Sequence, residues 1–126
     1  MADCFYHPQE SRRLRQLREL KPEMFRGFVD FERVVFQDGE LPLKTKELIA
    51  VAVAHVTQCP YCIDVHVKRA KKAGASTGEV AEAIFVAMTL RAGGSFAHAA
   101  IALRAAEEAD AKATASQGDD RRSPHQ

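Results

Sequence analysis

Apolar residues recur at helical intervals along most of this chain. In QESRRLRQLREL, residues 9–20, Leu14, Leu17 and Leu20 stand among charges, and so narrow a stripe predicts a helix covered on one face. Pro22 is suited to open a second helix, in which Met24, Phe25, Phe28, Phe31, Val34 and Val35 repeat every three or four positions until Asp38-Gly39. The run KTKELIAVAVAHVTQ, residues 44–58, is ambiguous because Ile49, Val51 and Val53 alternate with alanines, as in a buried strand. Its length, its alanines and the lack of a turn residue before Pro60 favour helix. Pro60 then opens a helix to Ala73 with Gly74 as its stop and a cationic last turn.

Ser76 and Glu79 form a capping-box signature for a helix over 77–92. Gly93-Gly94 is expected to interrupt it, and Ser95 to cap a last Ala-rich helix through Ala109. The stretch ASQGDDRRSPHQ, residues 115–126, has almost no apolar side chain, and a disordered tail is expected over 111–126. The expectation is therefore an all-α, single-domain bundle of about six helices over 1–110, with its core at about 40–105. Alanine-rich helices offer a monomer limited apolar burial, so homo-oligomer formation is expected as well.

Charge narrows the function. Eighteen Lys plus Arg against seventeen Asp plus Glu give a net charge of +1, so no global field would gather nucleic acid or anionic lipid. The longest stretch without Asp, Glu, Lys or Arg, Leu48 to Ile63, falls short of the ~20 apolar residues of a membrane span. The opening Met-Ala-Asp-Cys lacks the basic and apolar regions of a signal peptide, and the expected compartment is the cytoplasm. Three cysteines leave one over in any disulfide framework, so a Cys-x-x-Cys pair points to redox chemistry or metal binding.

That pair lies in Cys59-Pro60-Tyr61-Cys62-Ile63-Asp64-Val65-His66. On a helix, Cys59, Cys62 and His66 share one face, and Cys62 falls in the first turn, where backbone N–H groups favour thiolate. A thiolate with a second sulfur in reach and a base beside it suits peroxide reduction or thiol exchange. Cys-Pro-Tyr-Cys is also the glutaredoxin motif. A thioredoxin-like fold, however, needs strands and a cis-proline loop downstream, and only Ala-rich helical patterns follow here. Structural zinc would need a fourth ligand, which only Glu47 or His55 could supply. A non-enzymatic redox-responsive or zinc-binding oligomeric module therefore stands as the alternative to an enzyme. His55, on an apolar helix, reads more simply as a core histidine than as a ligand, and His98 as a pocket candidate from a neighbouring helix or subunit. Cys4, His7 and His125 are terminal, Cys4 being most simply a surface thiol.

Glu47, Cys59-Pro60-Tyr61-Cys62 and His66, within KELIAVAVAHVTQCPYCIDVHVKRAKKAGAS and with the Gly74-Ala75 turn, resemble the core of the AhpD-like alkylhydroperoxidases of the carboxymuconolactone decarboxylase superfamily. The resemblance covers about residues 40–105. It implies an all-helical trimer or hexamer that reduces hydroperoxides with no cofactor and is recycled by a dithiol reductant. It further implies Cys62 as the peroxidatic thiol, Cys59 as the resolving thiol, and Glu47 with His66 as a proton relay. Tyr61 stands where that family pattern carries a His, so one relay member differs. Glu47 precedes Cys59 by twelve residues, about 18 Å along a helix, so folding must bring it to the site. A return of the chain at Gln58 to Pro60 would bring His66 towards the Glu47 end first. On spacing alone Glu47 is simply a first-turn acid; the resemblance is what gives it a role.

Overall fold

In the computed structural model, which describes residues 8–120, every regular element is helical. A 3₁₀ segment, Pro8–Arg15, leads into the short α1 (Gln16–Leu20), followed by α2 (Pro22–Val35), α3 (Leu43–Thr57), α4 (Pro60–Lys72) and α5 (Thr77–Asp120). The expected helix over 9–20 is thus split, its first part wound more tightly. The strand-like alternation in α3 resolves as a helix. Val51 is fully buried, whereas Ile49 and Val53 are about half exposed. The buried face is Glu47, Val51 and Ala54, spaced four and three residues apart, as a helix requires.

Short-range chemistry sets the boundaries. α3 ends at Gln58 in the left-handed conformation (φ 57°), which turns the chain so that α4, opening at Pro60, runs back against it. α4 stops before Gly74, whose φ of +97° is the left-handed conformation that glycine adopts at least cost. The Ser76 hydroxyl accepts from Glu79 N–H and the Glu79 carboxylate accepts from Ser76 N–H, both at 3.0 Å, so the capping box predicted at the start of α5 is formed. Lys44 at the start of α3 pairs with Glu79 at 3.0 Å, which ties the beginning of α5 to α3.

The chain comprises two compact units, through Thr89 and from Leu90, with the boundary inside α5. The first unit has a core of small side chains, among them Val51, Ala54, Ala70, Ala75, Val80 and Ala87, around the buried acid Glu47. The second unit, as far as Asp120, is helical with exposed side chains, Leu90, Phe96, Ile101 and Leu103 among them.

Two expectations about the C-terminal part need correction. No break occurs at Gly93-Gly94, because α5 is continuous. Each glycine costs a helix about 1 kcal/mol relative to alanine, too little to interrupt a run flanked by good helix formers and free of proline. Nor is 111–126 a disordered tail throughout, since the helix continues to Asp120. Ala111, Lys112, Ala113 and Ala115 favour helix even where no apolar stripe accompanies them. Residues 121–126 lie outside the described residues, as do Cys4 and His7 at the other end. By length and composition alone α5 is apolar enough to cross a membrane, a test that core helices of soluble proteins also pass.

Candidate active site

The site is built where α4 starts and where it passes the beginning of α3. Cys59 is the N-cap of α4, in extended conformation, with Pro60 in the first turn. Cys62 follows in that turn, and the two sulfurs form a disulfide, with their Cα atoms 5.2 Å apart. The Cys62 N–H donates to Cys59 Sγ at 3.2 Å. The sulfur held by the helix start is therefore that of Cys59, where spacing had suggested Cys62. Capping explains the difference, because an N-cap side chain reaches the N–H group three residues on, while Cys62 supplies that N–H.

One turn after Cys62, His66 Nδ1 lies 2.6 Å from Glu47 Oε2. The carboxylate accepts, so Nδ1 carries the hydrogen and the neutral ring keeps its lone pair on Nε2. Both partners are withdrawn from water, with side-chain exposures of 15% for His66 and 3% for Glu47. Glu47 is buried because it occupies the core stripe of α3, and the return at Gln58 delivers His66 to it from nineteen residues away. Phe36, the residue closing α2, stacks on the His66 ring with centroids 5.2 Å apart and planes at 24°. Arg69 bonds Glu32 at 2.8 Å and holds α4 to α2 just beyond His66. Among the described residues, no buried side-chain nitrogen or oxygen lacks a partner.

Three cavities surround this pair. One, of about 590 Å³, is lined by Glu47, Phe36, Arg33, Arg69 and Lys72. A second, of about 600 Å³, is largely apolar and is walled by Val34, Val35, Ile49 and Val53, with Cys62 and His66 also lining it. A third, of about 560 Å³, has Tyr61, Cys62, Val65 and His66 on α4 facing Leu14, Phe28 and Phe31. Cys62 and His66 thus line two cavities together, whereas Glu47 lines the other. The histidine–carboxylate bond bridges these two settings.

Of the residues singled out from sequence, Glu47, Cys59, Cys62 and His66 come together, and Tyr61 lines the third cavity beside Cys62. His55 donates from Nδ1 to the Val51 carbonyl of its own helix at 2.8 Å and lines none of the three cavities. His98 lies in the second unit, on the continuous α5 and not at a helix start, and donates to the Gly94 carbonyl at 2.7 Å. Sequence reasoning did not single out Phe36 or Lys46. Neither carries a motif that would have revealed it. Among the described residues, no group of three or more His, Cys, Asp or Glu side chains is placed to hold a metal ion.

Comparison with known proteins agrees with this helical frame. The Carboxymuconolactone decarboxylase family matches residues 22–105, and the chain belongs to that family. It is 54% identical over 84 residues to a Paracoccus denitrificans protein named uncharacterized protein 4 in cox locus, covering 67% of this chain and 76% of that one. Among solved structures, the apo form of a carboxymuconolactone decarboxylase family protein from Legionella pneumophila is 37% identical. The match covers 82% of this chain and 92% of that one, with a TM-score of 0.64. A protein of Methanobacterium thermoautotrophicum is 36% identical over 65% of this chain and 92% of its own, with a TM-score of 0.62.

Proposed function

We propose that the protein is a thiol-dependent peroxidase and disulfide reductase of the AhpD-like type, acting on hydroperoxides in the cytoplasm and recycled by a dithiol. The observation that carries this reading is the buried His66–Glu47 hydrogen bond of 2.6 Å one helical turn after Cys62, which is itself joined to Cys59. A base oriented by a carboxylate beside a thiol is the arrangement that activates a sulfur nucleophile. The lone pair on His66 Nε2 takes the Cys62 proton.

In the reduced protein the Cys62 thiolate attacks the distal oxygen of ROOH. The S–O bond forms as O–O breaks, and the departing alkoxide takes a proton from the His66 imidazolium to leave as alcohol. The Cys59 thiol, losing its proton to His66, then attacks the Cys62 sulfenic acid; the S–S bond forms and the hydroxyl leaves as water with that proton. The peroxide is reduced by two electrons, and the two thiols are oxidised to the disulfide. A dithiol returns both electrons by exchange and becomes a disulfide itself. Cys62 lines two cavities, and Cys59 Sγ accepts the Cys62 N–H. Those two features suit the roles of attacking and resolving thiol.

Association into a homotrimer or homohexamer belongs to the same proposal, for the exposed apolar side chains of α2 and α5, such as Phe28, Phe31, Phe85 and Phe96, need cover. The decisive experiment is steady-state peroxide consumption with a dithiol, comparing wild type with Cys62→Ser and Cys59→Ser. Loss of turnover in both variants is expected, and equal rates in all three would remove the proposal.

A further inference from the structure

We infer that Lys46 and Phe36 are positioning residues for His66, acting through the end of α2. The inference rests on the reading of His66 as the base for the cysteine pair. α2 closes at Phe36, whose N–H still bonds back to Glu32, and the Val34 carbonyl takes the Gln37 N–H at 3.4 Å. Lys46 serves the last helical carbonyl and one just past the helix. Its ammonium donates to the Val35 carbonyl at 2.8 Å and to the Gln37 carbonyl at 2.6 Å, the residues on either side of Phe36. A cation placed on helix-terminal carbonyls is favourable for both bonding and dipole reasons.

Lys46 is adjacent to Glu47 on α3. One turn of α3 therefore holds both sides of the imidazole: Glu47 takes the Nδ1 hydrogen, and Lys46 fixes the backbone that lays the Phe36 ring over the imidazole face. A second tie closes the connection between α2 and α3, since Leu43 N–H donates to Asp38 Oδ1 at 2.7 Å. Phe36 also lines all three cavities, so the ring that orients His66 also forms part of the partition between the Glu47 cavity and the two that Cys62 lines. An imidazole restrained at an edge and across a face has one orientation from which Nε2 can serve the thiol. Loss of either restraint frees it to rotate.

The test uses the full reduced chain and two readouts that need no peroxide: the ring ¹⁵N signals of His66 by NMR, and the alkylation rate of Cys62 by iodoacetamide near neutral pH. In Lys46→Met and in Phe36→Leu the Nδ1–H signature should give way to a tautomer mixture, and alkylation should slow roughly tenfold. Lys46→Arg and Phe36→Tyr, which keep the cation and the ring, should restore both readouts. Unchanged His66 signals and alkylation rates in folded Lys46→Met and Phe36→Leu would overturn the inference. If either fails to fold, the other carries the test, since each removes one restraint. A protein that does not consume peroxide yet shows these shifts would sink the proposed reaction and leave the positioning role standing. One that turns peroxide over while the signals stay fixed would do the reverse.

Discussion

Glu47 carries the largest local commitment in this molecule, a carboxylate placed at a core position of α3 and answered by one imidazole. Burying an acid is tolerable only when it is hydrogen-bonded, so the pair is both a structural and a chemical unit. Two predictions follow from that dual character. His66→Ala should lower unfolding free energy in denaturant by about 3 kcal/mol, because it leaves the acid buried without its partner; a loss well under 1 kcal/mol would mean that the carboxylate is not held by this bond. Glu47→Gln should fold, yet slow alkylation of reduced Cys62 near neutral pH by about tenfold or more, since the amide orients the ring poorly. An unchanged rate would separate Glu47 from the thiol chemistry. Cys59, Cys62 and His66 were legible because their spacings lie within one short helical segment. Glu47 was not legible from spacing, because its partner is nineteen residues away and only the return at Gln58 joins them. Phe36 and Lys46 were less legible still, one acting through a ring face and the other through backbone carbonyls.

The helices were legible where termination is local and obscure where it depends on accumulated propensity. Pro22, Pro60, Gly74 and the Ser76–Glu79 box marked boundaries that the structure keeps nearly unchanged. The Gly93-Gly94 pair misled because two weak helix formers cannot outweigh a long run of strong ones, and the same propensity carries α5 on to Asp120. The box at the start of α5 can be tested directly: Ser76→Ala should cost about 1 kcal/mol in thermal or denaturant unfolding. Glu79 sits below its ordinary pKa of 4.5, chiefly through the Ser76 N–H and then the Lys44 ammonium bonded to its ionised form. A carboxyl depressed in the folded state stabilises it above the unfolded value and ceases to do so as pH falls through the folded one. The destabilisation caused by Glu79→Gln should therefore be full at neutral pH and shrink below pH 4.5. A difference that stays constant into that acid range would show that the charge is not what stabilises the start of α5. Gly94 offers a further check, because a Cβ there meets nothing within 4 Å. Gly94→Ala should stabilise the helix by about 1 kcal/mol, and a loss of stability would reveal a close-packed neighbour.

For the molecule as a whole, all-α class and family membership followed from pattern and motif. Among the described residues the buried apolar side chains are mostly alanines, and many large ones remain exposed. The proposed association would cover them. Sedimentation equilibrium should show a closed oligomer that Phe96→Glu or Phe85→Glu weakens; a wild-type monomer at every concentration would contradict the assembly. The central claim is more specific: one cysteine pair accepts two electrons' worth of oxidation from a hydroperoxide. Its most direct test adds one equivalent of an organic hydroperoxide to the fully reduced chain, then counts free thiols and maps them by mass. The account predicts that two thiols disappear per alcohol formed and that Cys59 and Cys62 are found joined. Recovery of both as free thiols alongside intact peroxide would contradict it.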